Sequence, residues 1–119
     1  MTWTVFTTQR FDEWFDEQSE EIQDRMLHAL GNLQFWGPGL SRPYADTIKG
    51  SRFKNMKELR VQHCGRPIRA LYAFDLSRRA IVLCAGDKSK NKRFYESMTS
   101  LADKEFMAWL KSQEKEHEK

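Results

Sequence analysis

From Asn55 the chain takes up a two-residue period, and up to Ala85 it falls into three segments separated by turn residues. This pattern limits the possible folds more than any other feature, because strict alternation sends successive side chains to opposite faces of a sheet. In the first segment Met56, Glu58 and Arg60 share one face, and Lys57, Leu59 and Val61 share the other. His63-Cys64-Gly65-Arg66-Pro67 supplies a turn, and Ile68 to Phe74 forms the second segment. Asp75-Leu76-Ser77-Arg78-Arg79 turns the chain again into Ala80 to Ala85, an almost unbroken apolar run. A strand that is apolar on both faces must be covered on both. Three strands joined by short turns predict an antiparallel meander.

The flanks have helical spacing. Thr2 to Thr7 alternates and predicts a first strand. Thr8 is placed to cap a helix carrying Phe11, Trp14 and Phe15, and Ser19 a second one with Ile22, Met26, Leu30 and Leu33 as its stripe. Phe35-Trp36-Gly37-Pro38-Gly39 ends that helix, and residues 37–50 are expected to be loop. After Gly86, a short helical piece from Asn91 to Met98 is expected, followed by a separate last helix capped by Ser100 with Asp103 three residues on. The tail, residues 113–119, is expected to fray. The prediction is therefore one domain, residues 1–119, of the α+β class: an N-terminal strand and a two-helix hairpin packed on an antiparallel sheet, with a C-terminal helix.

Charge is distributed very unevenly along this framework. From Lys49 to Arg93 there are thirteen basic residues against Glu58, Asp75 and Asp87, whereas the segments on either side are net acidic and the whole chain is only +3. A basic block framed by acidic ones points to a polyanionic partner. Other classes find little support. No apolar run is long enough to span a membrane, and the N-terminus lacks the basic and apolar regions of a signal peptide, so a cytoplasmic location is expected. Cys64 and Cys84 form no CxxC and are expected as reduced thiols; His28, His63 and His117 have no zinc spacing. The three acids of the basic block are far apart in sequence, so neither a metal site nor a cofactor is expected.

Arg60, Arg69, Lys88 and Tyr95 are the candidates for chemistry. Arg60 and Arg69 fall on neighbouring strands, Lys88 follows the third strand and Tyr95 lies seven residues further on, so the four can converge on one face of the sheet. Cleavage of RNA by its own 2′-hydroxyl needs a proton acceptor, a proton donor for the leaving 5′-oxygen, and cations for the charge that develops on phosphate. A tyrosine among cations is expected to have a lowered pKa. Lys49, Arg52, Lys54, Lys57, His63, Lys90, Lys92 and Arg93 are expected to contact the RNA backbone. Tyr95 beside Phe94 reads equally well as a core aromatic, and the set by itself leaves catalysis open.

The run Met56-Lys57-Glu58-Leu59-Arg60-Val61-Gln62-His63, continued by Gly65-Arg66-Pro67-Ile68-Arg69-Ala70-Leu71-Tyr72-Ala73-Phe74-Asp75, resembles the RelE/ParE toxin superfamily, and within it the HigB-like, phage-derived branch. The likeness continues through Arg79 to Leu83, Gly86-Asp87-Lys88-Ser89, Phe94-Tyr95 and Leu101-Ala102-Asp103. It implies a type II toxin held inactive by a cognate helix-turn-helix antitoxin. It also implies metal-independent cleavage of mRNA, commonly on the ribosome. Arg60 and Arg69 match the family's phosphate-binding strand arginines, Lys88 its basic residue after the last strand, and Tyr95 its C-terminal tyrosine. HigB-like relatives often use a histidine as well, and this chain offers His63, in a turn. ParE-like members of the same fold inhibit DNA gyrase instead. That reading, and a basic nucleic-acid-binding accessory protein, stay open at this point.

Overall fold

The computed structural model describes residues 2–117, with side chains up to residue 115. The elements in order are β1 (Thr4–Thr7), α1 (Gln9–Asp16), α2 (Glu20–Trp36), β2 (Ala45–Thr47), β3 (Lys57–His63), β4 (Arg66–Phe74), β5 (Arg79–Asp87) and α3 (Phe94–His117), with 3₁₀ turns at Gly37–Gly39 and Lys88–Lys90. The strands form one sheet in the order β1-β5-β4-β3-β2. The expected meander is present as β3, β4 and β5, all antiparallel. The β3–β4 turn has positive φ at both Cys64 and Gly65, which suits the twist of a two-residue hairpin. β1 adds to the sheet parallel to β5, making it mixed.

Both helix starts follow the sequence. The Thr8 hydroxyl accepts from the Phe11 N–H at 3.1 Å, and the Ser19 hydroxyl from the Ile22 N–H at 3.3 Å. The α1–α2 hairpin covers one face of the sheet, burying Phe11, Ile22, Met26 and Leu33 against Leu59, Val61, Ile68, Tyr72 and Val82. α3 covers the other face, where Ala102 and Phe106 meet Met56, Leu71, Ala73, Ile81 and Leu83. β5 is thus covered on both faces, as its apolar run requires.

Two expectations are corrected. The loop over residues 37–50 contains β2, an edge strand held by backbone pairing with β3. The two C-terminal helical pieces are one helix. Tyr95, Met98, Leu101, Ala102, Phe106, Trp109 and Leu110 continue a single apolar stripe through position 100, so nothing interrupts the burial that holds a helix together. Asp103 caps nothing; its carboxylate accepts from the Ser51 hydroxyl at 2.6 Å and the Arg52 N–H at 3.0 Å, fastening the loop before β3 to α3. α3 runs on through residues 113–117, and residues 118–119 lie outside the described part. Among the described residues no helix is long and apolar enough to cross a membrane.

Candidate active site

Antiparallel pairing of β3 with β4 sets Arg60 directly opposite Arg69. Glu58 lies two residues before Arg60 and so projects to the same face, the one that α3 covers. Gly86 on β5 lets the start of α3 come close. A Cβ there would lie 2.9 Å from Met98 Cε and 3.0 Å from Phe94 Cε1, so a larger residue would force those two side chains to shift. Tyr95, in the first turn of α3, is thereby delivered over β3 and β4. Its hydroxyl donates to Glu58 Oε1 at 2.6 Å.

Glu58 is the hub of this cluster. Its other oxygen takes a charge-assisted hydrogen bond from Arg60 Nη1 at 3.2 Å, and Arg69 Nε lies 3.6 Å from Oε1. Glu58 and Arg69 are each only 3% exposed, whereas the Arg60 side chain is 23% exposed and Lys88 is exposed. Arg69 Nη1 donates to the Ile68 carbonyl at 3.0 Å, but its Nε has no hydrogen-bond partner. Lys88 Nζ stands 5.6 Å from the centre of the Tyr95 ring. One buried carboxylate, two arginines and a lysine leave the cluster with a net positive charge around a phenol.

The electrostatics of Tyr95 differ from the sequence expectation. Its pKa is raised, not lowered, first by burial and then by the hydrogen bond and negative charge of Glu58, with Arg69 opposing. The cations are present, but burial and the carboxylate reached by the phenol outweigh them. Tyr95 is therefore a neutral hydrogen-bond donor at rest. Of the cysteines, Cys64 is exposed and Cys84 buried, both free, and burial pushes the Cys84 thiol up to about 12.

The structure brings together Arg60, Arg69, Lys88 and Tyr95. Around them, Lys88, Lys92 and Arg93 line a hollow on one side of Tyr95, and Lys49 and Arg52 line another on its far side. Lys54 and Lys90 are exposed on the loops next to these rims. Two predicted residues lie elsewhere. Lys57 faces the α1–α2 side and donates to the Pro38 carbonyl at 3.3 Å. His63 also turns to that side, its Nε2 2.9 Å from Glu21 Oε2 of α2, so it is remote from Tyr95. Glu58, the centre of the cluster, is not among the residues that the sequence singles out. The available signal was its place between Met56 and Arg60 on a face otherwise destined for the core, where an ionised group needs partners. No group of three or more His, Cys, Asp or Glu side chains able to hold a metal ion occurs among the described residues.

The arrangement of helices and sheet defines a class: it is the fold of the RelE toxins. It superposes on a doubly substituted mutant of Escherichia coli toxin RelE in the free state with a TM-score of 0.63, over 84% of this chain and 96% of that one, at 10% identity. The toxin–antitoxin complex RelBE2 of Mycobacterium tuberculosis (TM-score 0.57, 74% and 100% covered, 16% identity) and the archaeal RelE–RelB complex of Pyrococcus horikoshii (0.57, 76% and 100%, 13%) are similar too. Sequence narrows the class further. Residues 13–107 match the family described as "Phage derived protein Gp49-like (DUF891)", and the chain belongs to it, within the HigB-like branch of the RelE/ParE superfamily. It is 38% identical over 110 residues to HigB3 of M. tuberculosis, a protein named as a toxin, covering 92% of this chain and 95% of that one. HigB2 of the same organism, also named as a toxin, is 38% identical over 110 residues, covering 91% of this chain and 54% of HigB2.

Proposed function

We propose that this chain is the toxin of a toxin–antitoxin pair and acts as an endoribonuclease on mRNA, on the ribosome, without a metal ion. The observation that carries this reading is the Glu58–Tyr95–Arg60–Arg69 cluster, set between two hollows rimmed by lysine and arginine. The 2′-oxygen attacks phosphorus and the P–O5′ bond breaks, leaving a 2′,3′-cyclic phosphate and a 5′-hydroxyl. Tyr95 accepts the 2′-hydroxyl proton as its own proton passes along the 2.6 Å bond to Glu58. The proton returns by the same route to the leaving 5′-oxygen. A raised phenol pKa suits such a relay better than a standing phenolate. Arg60 and Lys88, the more accessible cations, stabilise the charge developing on phosphate. Arg69, behind them, holds Glu58 and Tyr95 in position. The 2′-hydroxyl requirement restricts the substrate to RNA.

The partner of this reading is a cognate helix-turn-helix antitoxin, and similar chains occur in RelE–RelB and RelBE2 complexes. Controlled expression in a bacterial host, with primer extension on total mRNA, tests the proposal against an Arg60→Ala variant. Growth arrest with new mRNA 5′ ends that vanish in the variant is the expected result. Arrest with intact mRNA would overturn it in favour of an inhibitor of the gyrase-binding kind.

A further inference from the structure

At the free edge of β2 the surface carries aromatic rings that the cluster around Glu58 does not use. Phe35, Trp36 and Tyr44 are 63%, 58% and 55% exposed. A chain with a mean hydropathy of −0.76 and a filled core on each face of its sheet has no packing need to leave three large rings in water. Phe35 meets Trp36 edge to face, with centroids 5.0 Å apart, which fixes the indole at the end of α2. Trp36 and Tyr44 then line one hollow, shared with His28, Asn32 and Arg42.

This hollow has its α2 wall on the side of the sheet opposite Tyr95 and meets the candidate active site at the β2 edge, through Tyr44. The Tyr44 carbonyl accepts the Arg60 N–H at 2.8 Å, so Tyr44 sits directly beside the accessible arginine of the cluster. Arg42 pairs with Asp46 at 2.7 Å, and Asp46 is the cross-strand neighbour of Glu58. A cationic side chain therefore stands at each end of the path from the hollow to Tyr95.

We infer that the Trp36–Tyr44 hollow is a stacking subsite for one unpaired base of the RNA strand whose neighbouring phosphate lies at Arg60. This rests on the reading above, that an RNA strand crosses the Glu58–Tyr95 cluster. Two aromatic rings offer π-faces to a base, and the Asn32 amide and His28 ring offer donors and acceptors to its edge. Arg42 and Arg60 meet the flanking phosphates. A docked protein would favour a continuous apolar surface, whereas these rings alternate with polar and charged side chains. The subsite would bias which sequence is cut without taking part in the cut.

The test uses a short single-stranded 2′-O-methyl oligonucleotide, which cannot be cleaved, and reads binding by fluorescence anisotropy. Trp36→Ala and Tyr44→Ala should each weaken binding about tenfold, with Trp36→Phe and Tyr44→Phe retaining most of it. The loss should persist as salt is raised, because stacking releases no counterions. A matched oligonucleotide made abasic at single positions should lose as much affinity for wild type at one position, and lose nothing further with Trp36→Ala. Equal affinity of all variants for both probes would overturn the inference, whether or not the antitoxin binds them less tightly. Binding that follows the expected pattern in a protein that cuts no mRNA would retain the subsite and defeat the nuclease reading instead.

Discussion

Glu58→Gln keeps the shape of the hub and removes its charge. The side chains of Glu58 and Arg69 are 5% and 3% exposed and 3.6 Å apart. At an effective dielectric of about 20, their attraction is about 4–5 kcal/mol. Arg60 lies closer, at 3.2 Å, but is 23% exposed, so solvent screens its share to below about 1 kcal/mol. Removing one partner of a buried pair leaves the other charge uncompensated at a cost of about 3–5 kcal/mol. Some of this is recovered by Gln, which can still hydrogen-bond, and we expect a net loss of about 3 kcal/mol. For a chain of this length that lowers Tm by on the order of 10 °C. The double variant Glu58→Met with Arg69→Met should regain most of the stability, because no charge is left buried, while remaining inactive. Urea unfolding followed by circular dichroism, with m unchanged, measures both. A Glu58→Gln variant within about 0.5 kcal/mol of wild type, or a double variant as unstable as the single, would refute the reasoning.

Tyr95 gives a pH signature. Its folded pKa is raised, so its contribution to stability is fully present below the unfolded value near pH 10 and is lost as pH climbs through the folded value. Tyr95→Phe should flatten the alkaline limb of the stability profile. In Glu58→Gln the phenol should ionise at lower pH, since the acceptor charge is gone and Arg69 remains; tyrosinate absorbance reports the direction. Asp103→Ala should strand the Ser51 hydroxyl and Arg52 N–H and cost about 2 kcal/mol in a urea melt. It should also weaken RNA binding and shallow its salt dependence by loosening the loop that carries Lys49 and Arg52.

Where a local pattern decides the structure, the sequence was enough. The period of two marks β3, apolar runs between turn residues mark β4 and β5, side-chain caps at Thr8 and Ser19 mark α1 and α2, and these strands place the arginine pair Arg60 and Arg69 side by side. Pairing at a distance was less legible. β2 is three residues long and exists because β3 supplies its hydrogen bonds, so no alternation marks it. Ser100 and Asp103 have the spacing of a helix start, yet Asp103 is taken by Ser51 and Arg52, from a loop some fifty positions earlier. The direction of the Tyr95 shift comes from burial and from the hydrogen bond to Glu58, whose partners lie on two strands and a helix. His63 and Lys57 looked like members of a cationic face by composition, but strand alternation sends both to the α1–α2 side.

The most direct test of the central claim is cleavage of a defined mRNA by the purified protein, with translating ribosomes supplied, comparing all-ribose transcript with one carrying a single 2′-deoxy nucleotide at the mapped cut. The account predicts that the deoxy substitution abolishes cutting at that position alone, and that ribose ends carry 5′-hydroxyl and 2′,3′-cyclic phosphate. Cutting at the deoxy position, or 5′-phosphate ends, would contradict attack by the 2′-oxygen and with it the roles given to Tyr95 and Glu58.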